Sequence, residues 1–135
     1  RQRVETAQGA VGVFLHKALL GESIDIWGDG SVTRDYIHAS DVASAFSKAL
    51  HYTGPHRVFN ISSGAGTSLN ALIHMLEQSL GQPIAKRYLP GRPFDVAVSI
   101  LCNKLARQEL GWEPVVSMQE GIERTARWMK ATPAS

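Results

Sequence analysis

Apolar residues recur along this chain at two spacings, one helical and one alternating, and turn residues separate the stretches. In residues 8–20, Val11, Phe14, Leu15, Ala18 and Leu19 share one helical face, and Gly21 stands where a left-handed C-cap belongs. The clearest helix has Leu69, Leu72, Ile73, Leu76 and Leu80 as its stripe, Ser68 as its cap, Gly81 as its end and Pro83 forbidding continuation. Another is predicted from Val42, Ala45, Phe46, Ala49 and Leu50, capped by Ser40. Residues 103–110 read as a short helix that Gly111 ends, with Trp112 folding back on it and Asn103 able to cap it. Ser117 to Glu120 has the form of a capping box, and Ile122, Thr125, Ala126 and Met129 line the helix it opens; the tail from Ala131 is expected to fray. Alternation predicts strands at residues 23–27, 36–39, 58–62 and 84–89.

Two turn-rich segments carry the candidate chemistry. Gly28 and Gly30 bracket Asp29, and Arg34 follows just before the apolar pair Tyr36 and Ile37, so its guanidinium leaves an anchored element. Pro90, Gly91 and Pro93 break regular structure around Arg92, and an arginine held in a stiff loop loses little entropy on meeting a ligand. Asp95 lies close enough to pair with Arg92 or to accept hydrogen bonds from a ligand hydroxyl. Residue chemistry alone leaves open a bland reading, in which Arg34 pairs with Asp29 or Asp35 and Arg92 with Asp95. A strand, the glycine-rich residues 63–67 and a helix follow one another, yet Leu69 stands where the third glycine of G-x-G-x-x-G belongs. We therefore read a tight βα turn rather than a dinucleotide cradle.

Composition narrows the function classes. With 44% apolar and 19% charged residues, the 135-residue chain suits one globular domain with one core. A net charge of +2 without a basic run argues against nucleic acid, and no apolar stretch reaches a membrane-spanning length or resembles a signal peptide, so a cytoplasmic location is expected. One cysteine, Cys102, forms neither an internal disulfide nor a C-x-x-C metal site, and His38, His51 and His56 lack partners at ligand spacing, so no metal is expected.

Trp27 through Ala43, with its Gly-Asp-Gly turn and Arg-Asp-Tyr-Ile-His run, resembles the segment shared by extended short-chain dehydrogenase/reductase proteins, the nucleotide-sugar epimerases and dehydratases. Residues 14–22, 58–64, 91–96 and 110–114 resemble further family segments in the same order, and Arg1 and Gln2 resemble the tail of its Asn-x-Tyr-Gly-Pro-x-Gln motif. Cys102 departs from the pattern, where relatives commonly carry an aspartate before the helix.

The resemblance implies an α/β fold: the C-terminal, substrate-binding portion of an extended Rossmann-type protein, without a complete Rossmann sheet of its own. Residues 1–135 would form a single substrate-binding domain of a larger NAD-dependent epimerase or dehydratase, a protein that begins upstream of Arg1. Arg34 and Arg92 resemble two phosphate clamps, Asp95 a ribose or sugar hydroxyl acceptor, and the backbone beside Ile26 would lie along the nucleotide base; Ile26 itself also reads as core. The implied ligand is a nucleotide sugar, UDP-hexose first, and the implied reaction 4-epimerisation, with dehydratase, decarboxylase or reductase parents and a stand-alone binding module as alternatives. NAD would belong to the parent and not to this chain: the family's Tyr-x-x-x-Lys pair is absent, since Ser40, His56 and Arg92 follow Tyr36, Tyr52 and Tyr88 at that spacing. No catalytic residue is therefore assigned, and the chain is expected to be inactive alone. Residues 58–62, which in the family join a large parallel sheet, would here leave unpaired edges and promote self-association or a rearranged pairing.

Overall fold

The computed structural model of the protein describes residues 9–131. The expectations for Gln8, for Arg1 and Gln2 and for the tail beyond Ala131 lie outside the described residues. In chain order the elements are α1 (Ala10–Leu19), β1 (Ile24–Trp27), β2 (Thr33–Asp35), α2 (Ala39–Ala49), β3 (Gly66–Ser68), α3 (Leu69–Leu80), β4 (Lys86–Leu89), β5 (Val98–Ser99), α4 (Lys104–Leu110) and α5 (Met118–Ala131).

The main core lies where α1, α3 and α5 cover β1. Leu15, Ile24, Ile26, Leu72, Ile73, Leu76 and Ile122 are all buried within it. Burying each such side chain stabilises the fold by about 1.5–3 kcal/mol relative to leaving it in water. α3 follows its sequence signals closely: the Ser68 hydroxyl accepts from the Ala71 N–H at 3.1 Å, and Gly81 ends the helix at φ +71°. A second cluster joins α2 to α4 through Ala45, Ala106 and Trp112, with Ile37, Phe59, Ile61 and Leu110 packed against it. Trp112 folds back as expected, donating its indole N–H to the Asp41 carbonyl at 3.0 Å.

Two small sheets replace one large one. β1 runs parallel to β4, with Ile24 opposite Lys86 and Trp27 opposite Leu89. In the other sheet β2 lies between β3 and β5, antiparallel to β3 and parallel to β5, with Arg34 opposite Thr67 on one side and Ser99 on the other. The chain therefore crosses between the sheets twice in the same direction, once from β1 to β2 and once from β4 to β5. The second crossing, residues 90–97, is longer than the first, residues 28–32, and its excess bulges out as the loop that carries Arg92 and Asp95.

Several expectations need correction. The strand near residue 36 is instead Thr33–Asp35, and residues 36–38 lead directly into α2. His38, not Ser40, caps that helix, its ring accepting from the Ser40 N–H. Of the α2 stripe, Ala45 is buried, while Phe46 and Leu50 are 71% and 84% exposed. Periodicity identifies the apolar face of a helix and says nothing of what covers it. Residues 58–62 form no ladder among the described residues, although their composition suits a strand. They are held instead by side chains: Asn60 donates to the Cys102 carbonyl, Ser62 to that of Leu101, and Asn103 to that of Ser62. Asn103 is thereby occupied and makes no capping bond to α4. The capping box at α5 is half formed, with the Glu120 N–H donating to Ser117 while the Glu120 carboxylate takes Arg124.

No helix among the described residues is long and apolar enough to cross a membrane.

Candidate functional site

The turn before β2 is fixed by the start of α3. Two N–H groups of that first helical turn have no partner within the helix, and they donate outward, Leu69 to the Val32 carbonyl and Asn70 to the Gly30 carbonyl, both at 3.1 Å. The Asn70 side chain also donates to the Asp29 carbonyl at 2.8 Å and accepts from the Tyr88 hydroxyl at 2.9 Å. Gly30 sits at φ +78°, and a Cβ there would collide with the Asn70 carboxamide, so this position needs glycine on both counts. Asp29 turns inward to Ser31, whose hydroxyl and then N–H hold its carboxyl below the ordinary value. Asp29 is thus occupied locally and does not pair with Arg34.

Arg34 leaves β2 toward the longer crossing. Its Nη1 donates to the Val96 carbonyl at 2.6 Å and to its own neighbour's carbonyl, Thr33, at 2.8 Å. Among the described residues no carboxylate pairs with it, and its Nε and Nη2 edge is not used. Tyr36 lies within its field: burial pushes the phenol up, and the Arg34 charge opposes that shift.

Arg92 and Asp95 form the pair that the bland reading allowed, with Nε to Oδ2 at 3.0 Å. That contact consumes only one edge of the guanidinium. Its carbon lies 5.2 Å from the Trp27 ring centroid and 5.4 Å from that of Phe94. The group is therefore held by two aromatic faces and a carboxylate, and its Nη atoms make no hydrogen bond among the described residues. The backbone closes the loop, the Asp95 N–H donating to the Arg92 carbonyl at 3.1 Å.

The structure thus brings Arg34, Arg92 and Asp95 to one bulged crossing: Arg34 is bonded at Val96, next to the residue that holds Arg92. Ile26 is not part of this surface by its side chain, which is 0% exposed, and it takes the core place that the sequence also allowed. Sequence reasoning gave no role to Trp27 or Phe94, and it offered Asp35 only as an ion-pair partner of Arg34, a pair the structure does not form. Trp27 was accessible to parity, because Ile24 and Ile26 face the core and leave Asp25 and Trp27 outward. Asp35 was not accessible in that way, because its partners come from distant segments. Its Oδ1 accepts from the N–H and hydroxyl of Ser63 at 2.8 and 2.6 Å, and its Oδ2 accepts from the N–H of Gly64 at 3.0 Å and of Leu101 at 3.4 Å.

Those bonds also answer whether the glycine loop fits a dinucleotide. The N–H groups of Ser63 and Gly64 are directed at the chain's own carboxylate, and a Cβ on Gly66 would meet Ile100 and Thr33. The described residues do not fit a pyrophosphate cradle there. Among the described residues no group of three or more His, Cys, Asp or Glu could hold a metal ion.

Two concave features lie elsewhere. A groove of about 540 Å³ lies between α5 and residues 36–39, with Val11 also in its wall, and a shallower hollow of about 420 Å³ lies beside Tyr52 and Glu109. Neither is lined by Arg34, Arg92 or Asp95.

Comparison with known proteins follows the same segments. The NAD dependent epimerase/dehydratase family matches residues 3–62. UDP-glucose 4-epimerase of Mycolicibacterium smegmatis is 36% identical over 96% of this chain and 42% of its own length. An Escherichia coli dTDP-4-dehydro-6-deoxyglucose reductase is 36% identical over 91% of the chain and 39% of its own length. The crystal structure of UDP-glucose 4-epimerase from Thermotoga maritima, solved with UDP-glucose, superimposes with a TM-score of 0.91 at 38% identity, covering 97% of this chain and 42% of that one. The match is to the C-terminal portion of epimerase structures, and the chain spans about two-fifths of the length of these relatives.

Proposed function

The chain belongs to the NAD dependent epimerase/dehydratase family, and from that premise we propose that residues 1–135 act as a single domain that binds the nucleotide diphosphate of a UDP-hexose for 4-epimerisation. The observation that carries this reading is the placement of two guanidiniums with open edges at the longer crossing, Arg92 within it and Arg34 bonded to it from β2. Arg34 presents Nε and Nη2, and Arg92 presents its Nη atoms while Asp95 holds Nε. Two planar forks on a diphosphate satisfy several of its oxygens and offset its charge. Asp95 keeps a second carboxylate oxygen for a ribose or sugar hydroxyl, so pairing with Arg92 and binding a ligand are compatible. The backbone of β1 beside Ile26 leads to this turn and is the proposed track for the base.

Hydride transfer requires groups that this chain does not carry. NAD, which the family's description names, and a Tyr-Lys pair would come from an N-terminal NAD-binding domain of the parent. Exposed Phe46, Leu50 and Val58, beside a segment with strand composition and no ladder, support a surface where such a sheet would continue. The same clamp suits a dTDP-sugar, as the name of the E. coli reductase suggests. Comparing UDP with dTDP affinity separates those two readings.

Calorimetric titration with UDP tests the clamp. The chain should bind UDP weakly, and Arg34→Ala or Arg92→Ala should each remove about 1.5–3 kcal/mol, the usual worth of a charge-assisted hydrogen bond. Lysine at either position should restore only part of the loss, since it keeps the charge without the fork. Equal UDP affinity in the wild type and both alanine variants would return the arginines to a structural role.

A further inference from the structure

The geometry points to Asp35 as the positioning residue of the clamp: its grip on Ser63, Gly64 and Leu101 fixes the strand from which Arg34 holds the Arg92–Val96 loop. This rests on the reading that Arg34 and Arg92 bind a diphosphate. Adjacent residues of a strand point to opposite faces, and β2 uses that property at Arg34 and Asp35. On one face Arg34 bonds the Val96 carbonyl, just before β5. On the other, Asp35 bonds the Leu101 N–H, just after β5. The segment between is thus pinned at both ends by neighbouring side chains, and the β2–β5 ladder joins it between.

Asp35 is half-buried and has no cationic partner among the described residues. Its charge is met by N–H and hydroxyl donors alone, chiefly those of a loop that Gly64 turns through φ +75°. Successive N–H groups in such a turn form a concavity that accepts an anion. Here the anion is internal. The glycine loop anchors β2 and leaves the ligand's anionic groups to the arginines on the opposite face.

Asp35→Asn keeps the shape and removes the charge. Its amide NH2 would face at least one N–H that the carboxylate oxygen now accepts. The expected result is read in two ways on the full chain. By side-chain NMR, the Arg34 guanidinium should rotate slowly in the wild type and average in the variant, in a protein whose remaining spectrum stays dispersed. By titration, UDP affinity should fall roughly five-fold, the worth of about one net hydrogen bond, while affinity for uridine, which lacks phosphates, stays unchanged. Ser63→Ala, which removes the hydroxyl donor and that hydroxyl's bond from the Ala65 N–H but leaves the N–H donors to Asp35, should shift both readouts in the same direction by less, and it decides the matter if Asp35→Asn does not fold. An Arg34 guanidinium that stays locked in a folded variant overturns the proposal. So does an equal loss for UDP and uridine, which marks a general stability effect. If Asp35→Asn frees Arg34 while the wild type itself fails to bind UDP, the positioning role stands and the diphosphate reading falls.

Discussion

Asp41→Ala offers a test of how the second cluster is held, because one buried carboxylate there joins two distant segments. Asp41 lies in the first turn of α2 and is 1% exposed. Its Oδ2 accepts from the N–H groups of Val115 at 3.2 Å and Val116 at 3.0 Å, securing the loop that follows Trp112. Hydrogen bonds to a charged group are worth about 1.5–3 kcal/mol each. Val115 is 76% exposed, so water can satisfy part of what its N–H loses, and the lower end of the range applies. Loss of a first-turn acid adds about 0.3–1 kcal/mol through the helix dipole. The total is about 3.5 kcal/mol, a large share of the roughly 5–15 kcal/mol that holds a small domain. Asp41→Asn keeps an oxygen able to accept both N–H groups but loses their charge assistance, and it should cost about 1–1.5 kcal/mol. Urea unfolding followed by far-ultraviolet circular dichroism gives both values. A loss below about 0.5 kcal/mol for alanine, or equal losses for alanine and asparagine, would refute the accounting.

Other expectations concern single elements. The Glu77 carboxyl lies below its ordinary value, first because Lys86 bonds it and then because the Ile84 N–H does. A depressed carboxyl stabilises the fold above its unfolded-state value near 4.5 and loses that contribution as pH falls through its folded-state value. Glu77→Gln should therefore be less stable than the wild type at pH 7, and the gap between their urea midpoints should narrow as pH falls below about 4.5. Gly30→Ala should cost about 2 kcal/mol or more, because a positive φ and the Asn70 carboxamide both oppose a methyl group; thermal unfolding measures the loss. Residues 58–62 should drive concentration-dependent self-association in sedimentation, and Val58→Asp should abolish it; a monomer at all concentrations would count against an adhesive edge.

The helices were the legible part of this fold. α3 carried a stripe, a cap, a left-handed glycine and a proline that all agreed, and such agreement leaves little room for another structure. The short strands were not legible in that way. β5 covers only Val98 and Ser99, too few residues for alternation to register, and β3 lies inside a run that reads as a glycine loop. Residues 58–62 show the converse, with strand composition but no ladder among the described residues. A strand is defined by its neighbour as much as by its own side chains. At the candidate site, Arg34, Arg92 and Asp95 were legible from residue type, turn chemistry and resemblance. Their common anchor was not, because Val96 accepts from Arg34 through a backbone carbonyl, which no side-chain pattern encodes. Asp35 was hidden for the same reason, since its partners are mostly main-chain N–H groups.

The central claim is that a nucleotide diphosphate binds on the bulged crossing and not in either of the deeper concavities. A ¹H–¹⁵N correlation spectrum of the chain titrated with UDP tests it most directly. The account predicts shifts at the Trp27 indole, the Gly28 amide, the Arg34 and Arg92 Nε–H groups and the amides of Asp95 and Val96. Shifts confined to Val11, His38, Ile122 and Thr125 in the groove along α5, or to Tyr52 and Glu109 in the hollow, would contradict it.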